Sequence, residues 1–367
     1  MFNALGLMSG TAQDGIDVAL IRTDGLAQVE SGGFLTVPYP AGFRERLRSC
    51  LGPPGTVPAT VVAAVEAELT ARHAVAVDSL LQQEGVDAAT VDLVGFHGHT
   101  LFHAPEQGQT WQIGDGATLA ARLGIAVIND FRSADVAAGG QGAPFVPLFH
   151  QALAAAAGLE RPLAVLNIGG VANLTYLGAA EDELIACDTG PGNALLDDWM
   201  LRHTGQLYDA DGAVAASGRV DEALVRLWLD HDYFRRPSPK SLDRDAFDVT
   251  ALVGRAVADG AATLTEFTVR AIAAAAATLP VPPRRWLVTG GGRHNGHLMR
   301  RLADVLAAPV VPVEAVGWNG DALEAQAFAY LAVRSRSGLP LSLPATTGVA
   351  RPMTGGRLHV PPAAPHS

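Results

Sequence analysis

Lysine is all but missing from this chain. Lys240 is the only one in 367 residues, so arginine carries nearly all of the positive charge. Acidic residues outnumber basic ones, 37 to 26, for a net charge of −11. A protein that grips nucleic acid normally presents a basic face, so that class is set aside. Binding a single nucleotide needs only a local anion site and stays open. Cysteine is scarce as well: Cys50 and Cys187 lie far apart, which supports neither a disulfide framework nor a cysteine zinc site and makes a reducing compartment the expectation. No apolar run nears the roughly 20 residues that span a bilayer. The most apolar stretches, QALAAAAGL (151–159) and AIAAAAATL (271–279), are short and alanine-rich. The opening MFNALGLMSG has no basic leader followed by a long apolar segment, so no secretory signal is expected. Membrane, secreted and fibrous classes drop out, and a cytoplasmic protein is the expectation.

What is present suits a folded enzyme. The chain is 49% hydrophobic and 17% charged, enough for a sizeable core. Its length fits two domains. Forty glycines gather in short loops that directly follow apolar runs. Phe2 to Met8 reads as a strand, SGTAQDG as a tight turn, and IDVALI as a second strand. Residues 59–85 read as one long helix with a glycine stop. Strands are predicted at 91–98 and 126–131, with a short helix at 117–124 between them and a helix at 151–158. Residues 162–177, PLAVLNIGGVANLTYL, repeat the strand, glycine turn and strand of the N-terminus. Further on come strand–turn–helix units at 184–201 and 285–304, helices at 262–279 and 321–338, and irregular segments at 205–255 and from Pro340 onward. Alternating strands and helices mean an α/β protein with a mainly parallel sheet. The two similar openings, near 5–22 and 163–177, suggest two related halves facing one cleft.

The glycine turns are where chemistry can sit. In LMSGTAQDGID (7–17), a turn without Cβ atoms can approach phosphate oxygens, Thr11 can donate to phosphate, and Asp14 and Asp17 can hold Mg²⁺ through water. The bland alternative is an ordinary β-turn. LNIGGVANLT repeats the arrangement with Gly169, Gly170 and Asn173. In CDTGPGN, Asp188 ends an apolar strand beside a rigid turn. It can take a proton from a nucleophile, or simply cap the helix that follows. Gly190 and Asn193 of the same turn are candidate substrate contacts. TGGGRHN places Gly290, Gly291 and Gly292 where a base or ribose could lie flat, with Asn295 beside them and Arg293 and His294 as candidate covers; a plain strand-to-helix turn would look the same. His97 and His99 alternate as on a strand, which suits zinc or hydrogen bonding to a sugar or phosphate. Arg132, after a strand, can pair with a ligand carboxylate or with Asp130 or Asp135. Glu324 opens a late helix, as a site carboxylate or as an acid favoured by the helix N-terminus.

Two paired glycine hairpins, a strand-end Asp and a late GGG turn resemble the nucleotide site of the acetate and sugar kinase, Hsp70 and actin superfamily. More specifically, GLMSGTAQDGID, FHGHT, QIGD, DFRSADVAAGGQGAPFVP, NIGGVANLT, DTGPGNALLD, PKSLDR, TGGGRHN and LEAQAFAYLA follow the order of the anhydro-N-acetylmuramic acid kinase family. The likeness covers residues 5–348. It implies two RNase H-like (actin-like ATPase) domains flanking a nucleotide cleft, at 1–133 plus 343–367 and at 134–342. The implied activity opens the 1,6-anhydro ring of anhydro-N-acetylmuramate with water and phosphorylates O6 from ATP, giving N-acetylmuramate 6-phosphate and ADP for cytoplasmic peptidoglycan recycling. Asp188 matches the family's catalytic Asp, and Glu324 a Glu suited to orient the water. Gly10, Thr11, Ala12, Gln13, Asp14, Gly15, Ile16 and Asp17 match its ATP-binding segment. His97, Arg132, Gly190 and Asn193 are the expected substrate contacts, with Arg132 on the lactyl carboxylate. Mg²⁺ on Asp14 through water and a homodimer complete the expectation, with neither a nucleic acid nor a membrane as partner.

The chain departs from the family pattern at several positions. Where the family reads GTSLDG, this chain has Ala12 and Gln13, which removes one hydroxyl; a lost neutral hydrogen bond costs about 0.5–1.5 kcal/mol. His99 and Gly116 also depart from the family's HGQT and QIGDP. Two rival readings remain. One is a non-catalytic nucleotide switch of the same fold, against which Asp188 and Glu324 speak. The other is a zinc hydrolase built on His97 and His99.

Overall fold

The computed structural model describes residues 1–10, 13–243 and 246–362. The chain forms two compact units, residues 1–159 with 321–367, and residues 160–320. Each is built on its own mixed sheet, not the mainly parallel one that the strand–helix alternation suggests, because tight glycine turns join the first strands of each unit into antiparallel hairpins.

In the first unit, β1 (Phe2–Ser9), β2 (Gly15–Thr23) and β3 (Val29–Pro38) form an antiparallel meander. β4 (Leu93–Ala104) runs parallel to β1, and β6 (Val127–Asn129) parallel to β4. β5 (Gln109–Ile113) folds back on the outer end of β4. The C-terminal strand β12 (Arg357–His359) closes the edge against β6, in the segment expected to be irregular. In the second unit, β7 (Leu163–Ile168), β8 (Val171–Leu177) and β9 (Leu184–Pro191) form the meander. β10 (Trp286–Thr289) and β11 (Val310–Pro312) extend it in parallel. Both sheets thus run third, second, first, fourth, then a fifth parallel strand, which is the RNase H-like order. The repeated openings in the sequence are the two β1–β2-type hairpins.

Among the described residues, twelve α-helices accompany the sheets. They are α1 (Ala41–Ser49), α2 (Ala59–Glu84), α3 (Gly116–Leu123), α4 (Ser133–Ala137), α5 (Pro147–Ala156), α6 (Ala194–Thr204), α7 (Ala213–Ser217), α8 (Glu222–Leu229), α9 (Val257–Ala276), α10 (Gly296–Val305), α11 (Leu323–Arg336) and α12 (Pro344–Thr347). Local chemistry sets their ends. Asp115 accepts from the Ala117 and Thr118 amides to start α3, and left-handed Gly85 and Gly124 stop α2 and α3.

One face of the first sheet buries Leu5, Leu7, Val94 and Phe96 against Leu69, Val77 and Leu80 of α2. The other face receives α11 at unusually short range. A Cβ on Gly6 would stand 1.7 Å from the Ala325 carbonyl oxygen, and one on Gly95 would stand 2.0 Å from that of Phe328. Gly6 and Gly95 are partners in the β1–β4 ladder, so together they open a flat seat for the helix backbone. Because α4, α5 and α11 all pack with this sheet, the units divide at 159/160 and 320/321. The sequence had suggested 133/134 and 342/343. In the second unit, Leu166, Ile168 and Val288 pack on Leu298 and Leu302 of α10, while a second cluster joins Trp199, Trp228 and Phe267 of α6, α8 and α9.

Gly6→Ala or Gly95→Ala should destabilise the first unit by about 3 kcal/mol, the upper end for overpacking, because backbone rather than a flexible tip must move. Gly42→Ala, where only the tip of Arg46 is near, is the control and should be neutral or slightly stabilising. Equilibrium denaturation of the three variants measures this.

Candidate active site

In the first unit, the loop between β1 and β2 carries the expected phosphate segment. Thr11 and Ala12 lie outside the described residues. Around them the loop is tied at both ends. The Gln13 amide donates to the Gly10 carbonyl at 3.0 Å, and the Tyr39 amide donates to the Asp14 carbonyl at 2.9 Å. Gln13 is left-handed (φ 56°) and buried, its side-chain oxygen 3.4 Å from Arg48 Nε. Gly15 lies against β3, where a Cβ would meet the Val37 carbonyl at 2.5 Å. Buried Ile16 anchors the start of β2 in the core. Asp14 is exposed. Asp17 accepts from Thr36 Oγ1 at 2.6 Å, yet burial, reinforced by Asp14, Glu324 and Asp321, pushes its pKa up to about 6. Glu324 is exposed in the first turn of α11, where the helix N-terminus favours its charge.

His97 and His99 do not share a face. Gly98 between them is left-handed (φ 73°), and the β1–β4 register slips here, so Leu7 faces Phe96 while Ser9 faces His99. His97 turns to α11, its ring 4.5 Å from that of Phe328, and His99 turns to Ser9. Strand alternation had suggested a shared face, and the bulge cancels it. Among the described residues, no group of three or more His, Cys, Asp or Glu side chains is placed to hold a metal ion. His97 Nδ1 bonds the Gly98 carbonyl at 2.9 Å, and its Nε2 accepts from Arg132 Nε at 3.1 Å. Arg132 also donates from Nη1 to the Gly142 carbonyl at 2.5 Å and lies over the Phe145 ring. Burial lowers its pKa to about 10, against the pull of Glu324 and Asp135. Two of its three nitrogens are thereby fixed, and Nη2 remains for a ligand.

In the second unit, a polar row crosses four strands. Register places Thr289, Asn167, Asn173 and Asp188 side by side on β10, β7, β8 and β9. Asp188 is half-buried and held from three directions. Its amide donates to the Lys240 carbonyl at 2.9 Å, its carbonyl accepts from Tyr233 Oη at 2.6 Å, and Oδ2 accepts from the Leu242 amide at 2.8 Å. Burial raises its pKa to about 7, which the Leu242 bond opposes. A carboxyl that ionises near neutrality, with one oxygen fixed and the other available, is suited to take a proton.

The glycine turns of this unit are packed together. The Gly192 and Ala194 amides donate to the Gly170 carbonyl, and the Asn193 amide to that of Gly169 at 2.7 Å. Asn193 Nδ2 donates to the Ile168 carbonyl at 3.0 Å. Gly290 is left-handed (φ 75°), and a Cβ there would stand 2.3 Å from Asn167 Oδ1. Gly292 lies on Ile168, whereas Gly169, Gly170 and Gly291 have space above them.

A sequence model of the family described as anhydro-N-acetylmuramic acid kinase matches residues 2–361. The chain belongs to the anhydro-N-acetylmuramic acid kinase family. It is similar to the protein of that name from Rhizorhabdus wittichii, with 56% identity over 362 residues, covering 98% of this chain and 99% of the relative. The one from Paramagnetospirillum magneticum is 57% identical over 361 residues, covering 98% and 99%. That from Rhodospirillum rubrum is 57% identical over 353 residues, covering 96% and 93%.

Within this member of the anhydro-N-acetylmuramic acid kinase family, the expected site residues fall into two sets, one per unit. Gly10, Gln13, Asp14, Gly15, Ile16, Asp17, His97, Arg132 and Glu324 lie in the first unit, and Asp188, Gly190, Asn193 and the remaining glycine-turn residues in the second. Several have structural duties as well. His97 orients Arg132, Gly190 is where a Cβ would press on Ala271 of α9, and Asn295 caps α10 by accepting from the Leu298 amide at 2.9 Å. Arg293, expected as a cover for the nucleotide, is buried and paired with Glu314 at 2.9 Å. The sequence reading missed Asn167, Thr36, Tyr39, Tyr233 and Leu242. For Asn167 a signal existed, a polar residue at the end of a buried strand just before GG. Tyr233 and Leu242 act from 205–255, which reads as irregular, and Thr36 and Tyr39 from residues before 59 to which the sequence pattern assigns no element.

Both Asp17 and Asp188 bind a proton more tightly in the folded chain than the ~3.9 of an unfolded Asp. With respect to these groups, stability is full below about pH 4 and falls as pH rises through about 6 and 7. Asp188→Asn should therefore flatten the loss of unfolding free energy between pH 5 and 8, by on the order of 2 kcal/mol. Urea titrations of wild type and variant at the two pH values measure the difference.

Proposed function

We propose that the chain uses ATP to phosphorylate O6 of 1,6-anhydro-N-acetylmuramic acid while water opens the anhydro bridge, giving N-acetylmuramic acid 6-phosphate and ADP in cytoplasmic peptidoglycan recycling. Family membership over nearly the whole chain supports the reaction. The observation that carries the mechanism is Asp188, a half-buried carboxyl poised near pH 7 with Oδ2 fixed by a backbone amide.

The bridge ties O6 to C1, so no free 6-hydroxyl exists before ring opening. Asp188 takes a proton from water as the water oxygen bonds C1. The C1–O6 bond breaks, O6 bonds the γ-phosphorus, and the β–γ bridging oxygen leaves with ADP. Glu324 is the second carboxylate of this proposal. The loop from Gly10 to Asp17, the turns at Gly169, Gly170 and Asn173, and Gly290 to Gly292 with Asn295 are its nucleotide contacts. Part-exposed Arg132, already oriented by His97, is its partner for the lactyl carboxylate. Gly190 and Asn193 flank Asp188 as sugar contacts. Exposed Asp14 suits Mg²⁺ held through water, with the phosphates as the main ligands. When bound, the ion neutralises charge on the transferred phosphoryl group. The resemblance also carries a homodimer into this proposal.

The test is a coupled ADP-release assay with the anhydro-sugar, ATP and Mg²⁺, run beside ordinary N-acetylmuramic acid. Turnover should need the anhydro-sugar and rise with pH through about 7 as Asp188 ionises. Asp188→Asn should lower kcat by about 10²–10⁴-fold with ATP affinity retained. Full turnover in the variant would remove Asp188 as the base. ATP binding without turnover on the anhydro-sugar would favour the nucleotide switch.

A further inference from the structure

The glycine turn that follows β10 has no side chains of its own, so its shape comes from what flanks it. Gly290 is left-handed, and Gly292 lies on Ile168. Gly291 is exposed, and a Cβ there would come no closer than 3.7 Å to its nearest neighbour, Asn193 Nδ2. One side of the turn is thus held and the other is open. The residues on either side, Thr289 and Arg293, are both buried, and both side chains reach the segment 314–320 that follows β11.

Arg293 is the pivot. Its side chain is 3% exposed, and a guanidinium taken out of water is costly unless it is paired and hydrogen-bonded. Nη1 donates to the Gly290 carbonyl at 3.0 Å, which also accepts from the Arg293 amide at 3.2 Å. Nε donates to Glu314 Oε1 at 2.9 Å. The same carboxyl oxygen accepts from the Gly320 amide at 3.1 Å, and the Gly320 carbonyl accepts from Thr289 Oγ1 at 3.1 Å. These bonds close a ring from Gly290 through Arg293, Glu314, Gly320 and Thr289 back to Gly290. A Cβ on Gly320 would stand 2.5 Å from Arg293 Nε, so a glycine there lets the ring close. Every member lies in the second unit. Two donors fixed in one plane reach the Gly290 carbonyl and Glu314 at once, which the single ammonium of a lysine does not reproduce.

We propose that Arg293 and Glu314 are positioning residues for ATP: the ring they close holds Gly290 to Gly292 in the shape that leaves Gly291 open to the nucleotide. They act through the backbone of the turn and not on the ligand. The proposal rests on reading this turn as a nucleotide contact, and the variants below separate the two.

Variants of the full chain test this, with ATP affinity read by calorimetry and both KM values by the ADP-release assay. Arg293→Lys keeps a cation beside Glu314 and loses the fork. It should weaken ATP binding roughly threefold to tenfold, the value of about one hydrogen bond, and raise KM for ATP by the same factor. KM for the anhydro-sugar should stay within about twofold of wild type, a split that a merely structural role would not produce. Glu314→Gln keeps an oxygen in the place of Oε1, so it should stay within about twofold of wild type on every readout. Unchanged ATP binding in Arg293→Lys, equal losses in the two variants, or an equal rise in both KM values overturns the positioning role. If thermal unfolding shows that Arg293→Lys does not fold, Glu314→Ala breaks the ring from its other end and is held to the same outcomes. Gly291→Leu has room for its side chain in the free protein and should abolish ATP binding. Normal ATP binding in Gly291→Leu overturns the nucleotide reading of the turn, and the positioning role with it. ATP binding lost in Gly291→Leu but normal in Arg293→Lys overturns the positioning role alone.

Discussion

A helix backbone lying directly on a sheet backbone is the constraint around which the first unit is arranged. α11 can sit there only because Gly6 and Gly95, partners in one parallel ladder, have no side chains. The helix answers with small residues, Ala325, Ala329 and Ala332, all fully buried. Its far end is pinned by Arg334, which donates to the Gly25 carbonyl at 2.8 Å and the Pro340 carbonyl at 2.6 Å, while Tyr330 Oη donates to the Leu26 carbonyl at 2.8 Å. With both the seat and the tail fixed, the N-terminal turn has little freedom, and that turn carries Glu324. Phe328 from the same helix packs on His97 and Phe131, so the helix also sets the floor under Arg132.

Burial does the electrostatic work in both units. Asp17 and Asp188 are carboxyls held partly out of water and therefore reluctant to ionise, and Arg132 is a guanidinium whose pKa falls for the same reason. Each such group costs the folded state stability, and each gains a chemical property in return: proton affinity near neutrality for Asp188, and a fixed, weakly hydrated fork for Arg132. Asp135 has a structural use. It is buried, and its side chain accepts from the Gly142 amide at 2.7 Å, from Thr347 Oγ1 at 2.6 Å and from Ser342 Oγ, and so ties the loop at 138–144 to the C-terminal segment. An excess of acid over base across the chain is thus compatible with anion binding, because backbone amides and a few oriented arginines supply the local field.

The two hairpin openings and most helices were legible in the sequence because each strand–glycine–strand opening pairs an apolar run with turn chemistry that has few other uses. The elements that were not legible share a reason. β3 contains Ser31-Gly32-Gly33, residues of low strand propensity, and pairing with β2 holds the run as strand. The segment 233–242 has little regular structure of its own, yet it delivers Tyr233 and the Leu242 amide to Asp188. Partners that act through backbone groups leave no mark in residue identity. The division into units was misplaced because α11 looks like any late helix; only the seat made by Gly6 and Gly95, more than 200 residues earlier, assigns it to the first sheet.

The bulge at Gly98 shows how a single backbone irregularity can serve two networks. On a regular strand His97 and His99 would project to one side and compete for one environment. A left-handed Gly98, where a Cβ would stand 2.2 Å from the Ile113 carbonyl, turns them to opposite faces. His97 then meets Arg132 and α11, while His99 meets Ser9. Any other residue at 98 would be strained by its conformation and by β5 together, so the glycine is required twice over. The pair that looked like a zinc motif thus sits in two environments, His97 beside a guanidinium and His99 beside the Ser9 hydroxyl.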